Sequence, residues 1–127
     1  PDLVILALGG NDILRAIDPA NTRANLSAMM ERFEAEGVPV LLAGMVAPKS
    51  LGPEYAQAFD VIYPELAAKH SAGFYPFLLE GVAGERTMNQ NDGIHPNPAG
   101  VDRIVEGLTP LVVEMLDSPD RPVASRP

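Results

Sequence analysis

Neither cysteine nor tryptophan occurs among the 127 residues, and basic side chains are scarce: nine lysines and arginines against seventeen aspartates and glutamates. Without cysteine there can be no disulfide framework and no thiolate metal site. A net charge of −8 repels phosphate backbones, so nucleic acid is not an expected partner. It also provides no polybasic attraction to anionic membranes. Long apolar runs are absent as well. The longest, Leu3 to Leu8, is far short of the roughly 20 residues a membrane-spanning helix needs. No signal peptide is visible. The chain opens on Pro1-Asp2 directly before a strand, without a start methionine, and is expected to be the later part of a longer protein.

What remains is a globular composition, 46% hydrophobic and 20% charged, in a length suited to one domain. Leu3 to Leu8 reads as a strand buried on both faces of a parallel sheet. It runs into a tight turn, Gly9-Gly10-Asn11-Asp12. Asp18-Pro19 is an N-cap with proline at the first helical position. The helix it starts runs to about Glu36, with Leu26, Met29, Met30 and Phe33 at helical spacing and Gly37 as its stop. A second buried strand spans Val38 to Met45, and Pro48 to Pro53 is a loop. Glu54 to about Lys69 reads as a helix that Pro64 should kink or split. A short strand follows near Gly73 to Phe77, then a loop to Gly93. The last helix starts at an Asn97 cap with Pro98 behind it. Its expected apolar stripe is Val101, Ile104, Val105, Leu108, Val112, Met115 and Leu116, with a bend at Pro110. Residues 117–127 read as a frayed tail, which leaves 1–116 as the folded part.

Strand and helix thus alternate three times, the signature of an α/β fold in which a parallel sheet carries helices on both faces. A first strand this apolar belongs in a sheet interior, which again points to strands upstream.

Two segments have the residue types for chemistry. Gly9-Gly10-Asn11-Asp12 lies at the carboxyl end of a buried strand, where open α/β sheets bind ligands. There an Asn amide can donate to a developing oxyanion, although a plain glycine turn would look the same. Asp92-Gly93-Ile94-His95 sets a carboxylate three residues before a histidine, across a glycine turn. Such a carboxylate can reach Nδ1–H and leave Nε2 free to take a proton. An Asp-Gly turn followed by an exposed histidine is the bland alternative. His70 closes a helix beside Lys69 and reads as a partner of the helix dipole.

Taken together, these blocks resemble the SGNH (GDSL-type) hydrolases. Gly9-x-Asn11-Asp12 is similar to the family's third sequence block and Asp92-x-x-His95 to its fifth. The segments Val38 to Met45, Leu51 to Tyr55 and Tyr75 to Gly84 resemble the arylesterase, thioesterase I and lysophospholipase branch. The resemblance covers roughly residues 1–116. It implies a three-layer, flavodoxin-like α/β/α fold, here with its first strands missing, and hydrolysis of a small acyl ester or thioester through a serine acyl-enzyme, with no cofactor and no metal. His95 would be the general base and then the general acid, Asp92 would orient it, and Asn11 would donate to the oxyanion hole. Gly9, Gly10 and Asp12 would shape the turn, and Ile13, Met45 and Ile94 would line an acyl pocket. Members of the family are often exported in bacteria, which favours a periplasmic or secreted protein.

The block that should carry the nucleophile has no match. Ser27 falls inside a helix, Ser71 at a helix end, and Ser118 and Ser125 in the tail. Ser50 lacks a Gly-x-Ser-x-Gly elbow. The serine is therefore expected from a segment absent from this chain. Two other readings stand beside this one. In one, the chain alone is a non-catalytic fragment that pairs, through its first strand edge, with the missing segment or a second copy. Gly-Asn-Asp and Gly-Ile-His also loosely resemble the loops of metal-dependent phosphoesterases, but two histidines are too few for a two-metal site.

Overall fold

The computed structural model describes residues 1–118, so the expected tail lies outside it except for its first two residues. Three short strands, β1 (Val4–Leu6), β2 (Val40–Ala43) and β3 (Gly73–Tyr75), pair in parallel in the order β1-β2-β3. The helices are α1 (Gly10–Leu14), α2 (Pro19–Ala35), α3 (Pro53–Asp60), α4 (Ile62–Lys69) and α5 (Pro98–Asp117), with a 3-10 turn at Lys49–Leu51. β2 is buried along its whole length, because strands flank it and helices cover both its faces. On one face Leu6, Val40 and Leu42 pack with Leu26 and Met30 of α2 and with Phe59, Ile62, Tyr63 and Leu66 of α3 and α4. On the other, the end of the Met115 side chain of α5 lies over Gly73 beside Leu41, in the space a Cβ at position 73 would take. This is an open parallel α/β sheet, as the alternation of elements predicts.

The helix ends follow their capping chemistry. Asp18 accepts from the Ala20 N–H at 2.9 Å with Pro19 behind it. Asn97 accepts from the Gly100 N–H at 3.0 Å with Pro98 behind it. Beyond the strands the ladder continues, the Gly44 N–H donating to Tyr75 and the Leu78 N–H to Gly44, both at 2.8 Å. Gly44 is required there, since a Cβ would meet the carbonyl oxygen of Pro76.

Four expectations are corrected. β1 is covered on one face only: Leu6 is buried, but Ile5 is 45% exposed. Ile5 is the register partner of Leu41 and faces the side of α5, and α5 packs over β3, leaving the β1 end of that face bare. For the same reason the stripe on α5 is incompletely covered. Ile104, Leu108, Val112 and Met115 are half-buried, while Val101, Val105 and Leu116 are exposed. The long helix expected from Glu54 to Lys69 does split, but at Val61 instead of Pro64. A proline ring clashes with the carbonyl four residues earlier, so the chain breaks before it and Pro64 lies in the first turn of α4, where no N–H is needed. Finally, the glycine turn after β1 goes straight into α1, and α5 extends one residue past the expected boundary, to Asp117.

Candidate active site

The first half of the site follows β1. Gly9 caps α1 with φ of +115°, a conformation that side-chain-bearing residues rarely adopt. It has no space for a Cβ either, because the Tyr63 hydroxyl occupies that position. The chain thereby turns sharply, and Asn11 is presented at the carboxyl end of the sheet. Its exposed side chain makes no hydrogen bond to any described residue, so its amide is free to donate outward. Asp12 instead turns inward and accepts from the hydroxyl of Thr22 at 2.7 Å.

The second half is the loop before α5, held by its own polar groups. Asn89 donates to the carbonyls of Val82 and Glu85 at 2.6 and 2.9 Å. Asn97 donates to that of Thr87 at 2.9 Å. Asn89 and Pro96 form an antiparallel bridge, and the Gln90 N–H donates to the His95 carbonyl at 2.8 Å. Gly93, with φ of +70°, makes the turn at the tip. Asp92 and His95 face each other across it, Nδ1 to Oδ2 being 2.6 Å. A carboxylate only accepts, so Nδ1 carries the proton and Nε2 is the open nitrogen. The other oxygen of Asp92 accepts from the backbone N–H groups of Ile94 and His95 at 2.9 and 3.0 Å.

These three hydrogen bonds, that from the imidazole foremost, hold the Asp92 carboxyl well below the usual carboxylate range. A depressed folded-state value means that the stability it contributes is complete above the unfolded value, about 4, and is lost only as the pH falls through the folded one. The stability difference between the chain and Asp92→Asn, from urea titrations, should therefore not shrink from pH 7 to about pH 5. Shrinkage in that window would contradict the arrangement.

The two halves meet. Asn11 and His95 line one cleft of about 490 Å³, together with Leu8, Ile13, Leu14, Met29 and Ile94. Of the residues expected to line an acyl pocket, Ile13 and Ile94 border this cleft. Met45 does not; it packs toward Gly10 and against the core. Thr22 and Met29 are lining residues that sequence reasoning missed, because only the fold carries α2 alongside the turn; Leu8 and Leu14, on either side of that turn, were missed as well. None of the described serines borders the cleft. His70 lies elsewhere, with Nδ1 2.8 Å from Glu34 of α2. Among the described residues no group of three or more His, Asp or Glu is arranged to hold a metal ion.

The sequence model of the GDSL-like lipase/acylhydrolase family matches residues 1–103. The chain belongs to that family. Within it, the chain is 43% identical over 116 residues to Esterase TesA of Pseudomonas aeruginosa, a match covering 91% of this chain and 58% of the relative. It is 36% identical to Thioesterase 1/protease 1/lysophospholipase L1 of Escherichia coli K12, covering 88% and 56%. Among solved structures it superposes on AlinE4, an SGNH-hydrolase family esterase, with a TM-score of 0.71 at 43% identity, covering 93% of this chain and 62% of that one. The chain therefore has the fold of the GDSL-like hydrolases and spans little more than half the length of the curated relatives it matches.

Proposed function

We propose that this chain is the base- and donor-bearing part of a serine hydrolase of small acyl esters or thioesters, completed by a serine from a segment outside it. The observation that supports this most is the convergence of Asn11 and His95 on one cleft, with Asp92 fixing the imidazole. In the proposed cycle the serine hydroxyl attacks the acyl carbon and His95 Nε2 takes its proton. Asn11 donates to the tetrahedral oxyanion, and His95 then returns the proton to the departing alcohol or thiol. Water repeats the sequence on the acyl-enzyme. Leu8, Leu14 and Ile94, all apolar and exposed at the cleft, favour a substrate with an apolar acyl or aryl part.

The alternative, that the chain by itself is a pairing fragment, is favoured by a separate observation. β1 is an edge strand, and Ile5 and Leu8 beside it and Val101 and Val105 on α5 are exposed. A bare apolar edge recruits another strand. One experiment addresses both readings: treatment of the serine-bearing protein and of this chain alone with an alkylphosphonate ester, followed by intact-mass analysis and sizing. The serine-bearing protein should take one adduct, outside residues 1–127. This chain alone should take none and should run larger than a monomer. An adduct on Ser27, Ser50 or Ser71 would overturn the reading that the serine comes from outside this chain; a monomer of 13.5 kDa would overturn the pairing one.

A further inference from the structure

We infer that Tyr63 and Thr22 are positioning residues for the Asn11 amide, gripping its turn from two sides with buried hydroxyls. The inference rests on the donor role proposed for Asn11. From below, the Tyr63 hydroxyl donates to the carbonyl of Leu8 at 2.9 Å. That carbonyl immediately precedes Gly9, and the phenol oxygen occupies the space a side chain at Gly9 would need. Tyr63 is 1% exposed and its ring packs against Phe59 at 5.6 Å. From the side, the hydroxyl of Thr22, also 1% exposed, donates to Asp12 at 2.7 Å. Asn11 stands between these two anchors, and its own side chain is held by nothing else among the described residues.

The two hydroxyls come from different helices, Tyr63 from α4 and Thr22 from α2, yet both act on the five residues that place one amide. Neither is required to fill its site. Phenylalanine would fill the same core space as Tyr63, and valine is close to the shape of threonine. The hydroxyls supply direction. An oxyanion donor must lie within about 2.7–3.1 Å of the developing charge, and a misplacement of about 1 Å can cost about 100-fold in rate. Burial, with the carboxylates of Asp12 and Asp60 nearby, pushes the Tyr63 phenol well above its ordinary value, so it remains a donor wherever a histidine base operates.

The test is a double-mutant cycle in the serine-bearing protein. Tyr63→Phe and Thr22→Val should each lower kcat about tenfold with KM within about twofold, the pattern of an interaction made in the transition state. Thr22→Ser, which keeps the hydroxyl, should recover most of what Thr22→Val loses. In an Asn11→Ala background both losses should fall below about twofold, because the group they position is gone. Equal losses in both backgrounds would assign the hydroxyls a merely structural role and overturn the inference while leaving the hydrolase reading intact. An Asn11→Ala change without effect on kcat would overturn both. A readout independent of turnover is NMR of the serine-bearing protein: Tyr63→Phe and Thr22→Val should shift the Asn11 side-chain amide signals, and Thr22→Ser should shift them less. Unmoved Asn11 signals in folded variants would overturn the inference.

Discussion

Replacing His95 with alanine in the serine-bearing protein should lower kcat by about 10³- to 10⁶-fold, the range seen when the base of a serine hydrolase is removed. The magnitude follows from the geometry. A serine hydroxyl is a weak nucleophile until a neighbouring base accepts its proton, and among the described residues His95 is the only histidine that borders the cleft. Asp92 cannot substitute. Its carboxylate does not border the cleft, and without the imidazole it still accepts from the backbone N–H groups of residues 94 and 95. KM for a short aryl ester should change little, because the ring contributes to proton transfer more than to ground-state binding. Measured turnover within about tenfold of the parent protein would remove His95 from the mechanism.

The second large effect is expected from Asn11→Ala: a loss of about 10²- to 10³-fold in kcat, equivalent to about 2.7–4 kcal/mol of transition-state stabilisation. The donor acts on an oxygen that becomes anionic only during the reaction, so KM should again be nearly constant. Asn11 is exposed and makes no other hydrogen bond among the described residues. Its removal should therefore leave the melting temperature unchanged, which separates lost chemistry from lost structure. Asn11→Asp is a sharper comparison, since it keeps the shape but replaces the N–H donor with a carboxylate oxygen that repels the developing charge. Its kcat should be no better than that of the alanine variant. Steady-state kinetics on the two variants, beside thermal melts, check all of this.

Much of this architecture was legible in the residues, for reasons that can be named. The Asp92–His95 pair is local, three residues apart across a glycine turn, so its contact needs no knowledge of the rest of the fold. That Asn11 shares a rim with it follows from the strand-then-turn order, because the carboxyl ends of parallel strands gather on one side of the sheet. The helix ends at Asp18 and Asn97 were written in their side chains. What stayed hidden is tertiary. Nothing around Thr22 says that its hydroxyl meets Asp12, and nothing around Tyr63 says that its own reaches Leu8; each pairing spans distant sequence. The exposure of Ile5 was equally invisible, since a continuous apolar run records what a strand can bury and not which helix arrives to cover it. Pro64 marked a break in the helix, but the clash acts on the carbonyl four residues back, and so the joint formed there.

The sheet itself acts as a caliper. Asn11 hangs from the strand at one edge, while the loop bearing His95 hangs from α5, which rests on the strand at the other. The opening between the two jaws thus spans two strand spacings of about 4.8 Å each, and at the rim the β2–β3 spacing leaves room only for Gly44 beside the Pro76 carbonyl. A residue with no side chain thus keeps one of the two spacings that separate Asn11 from His95.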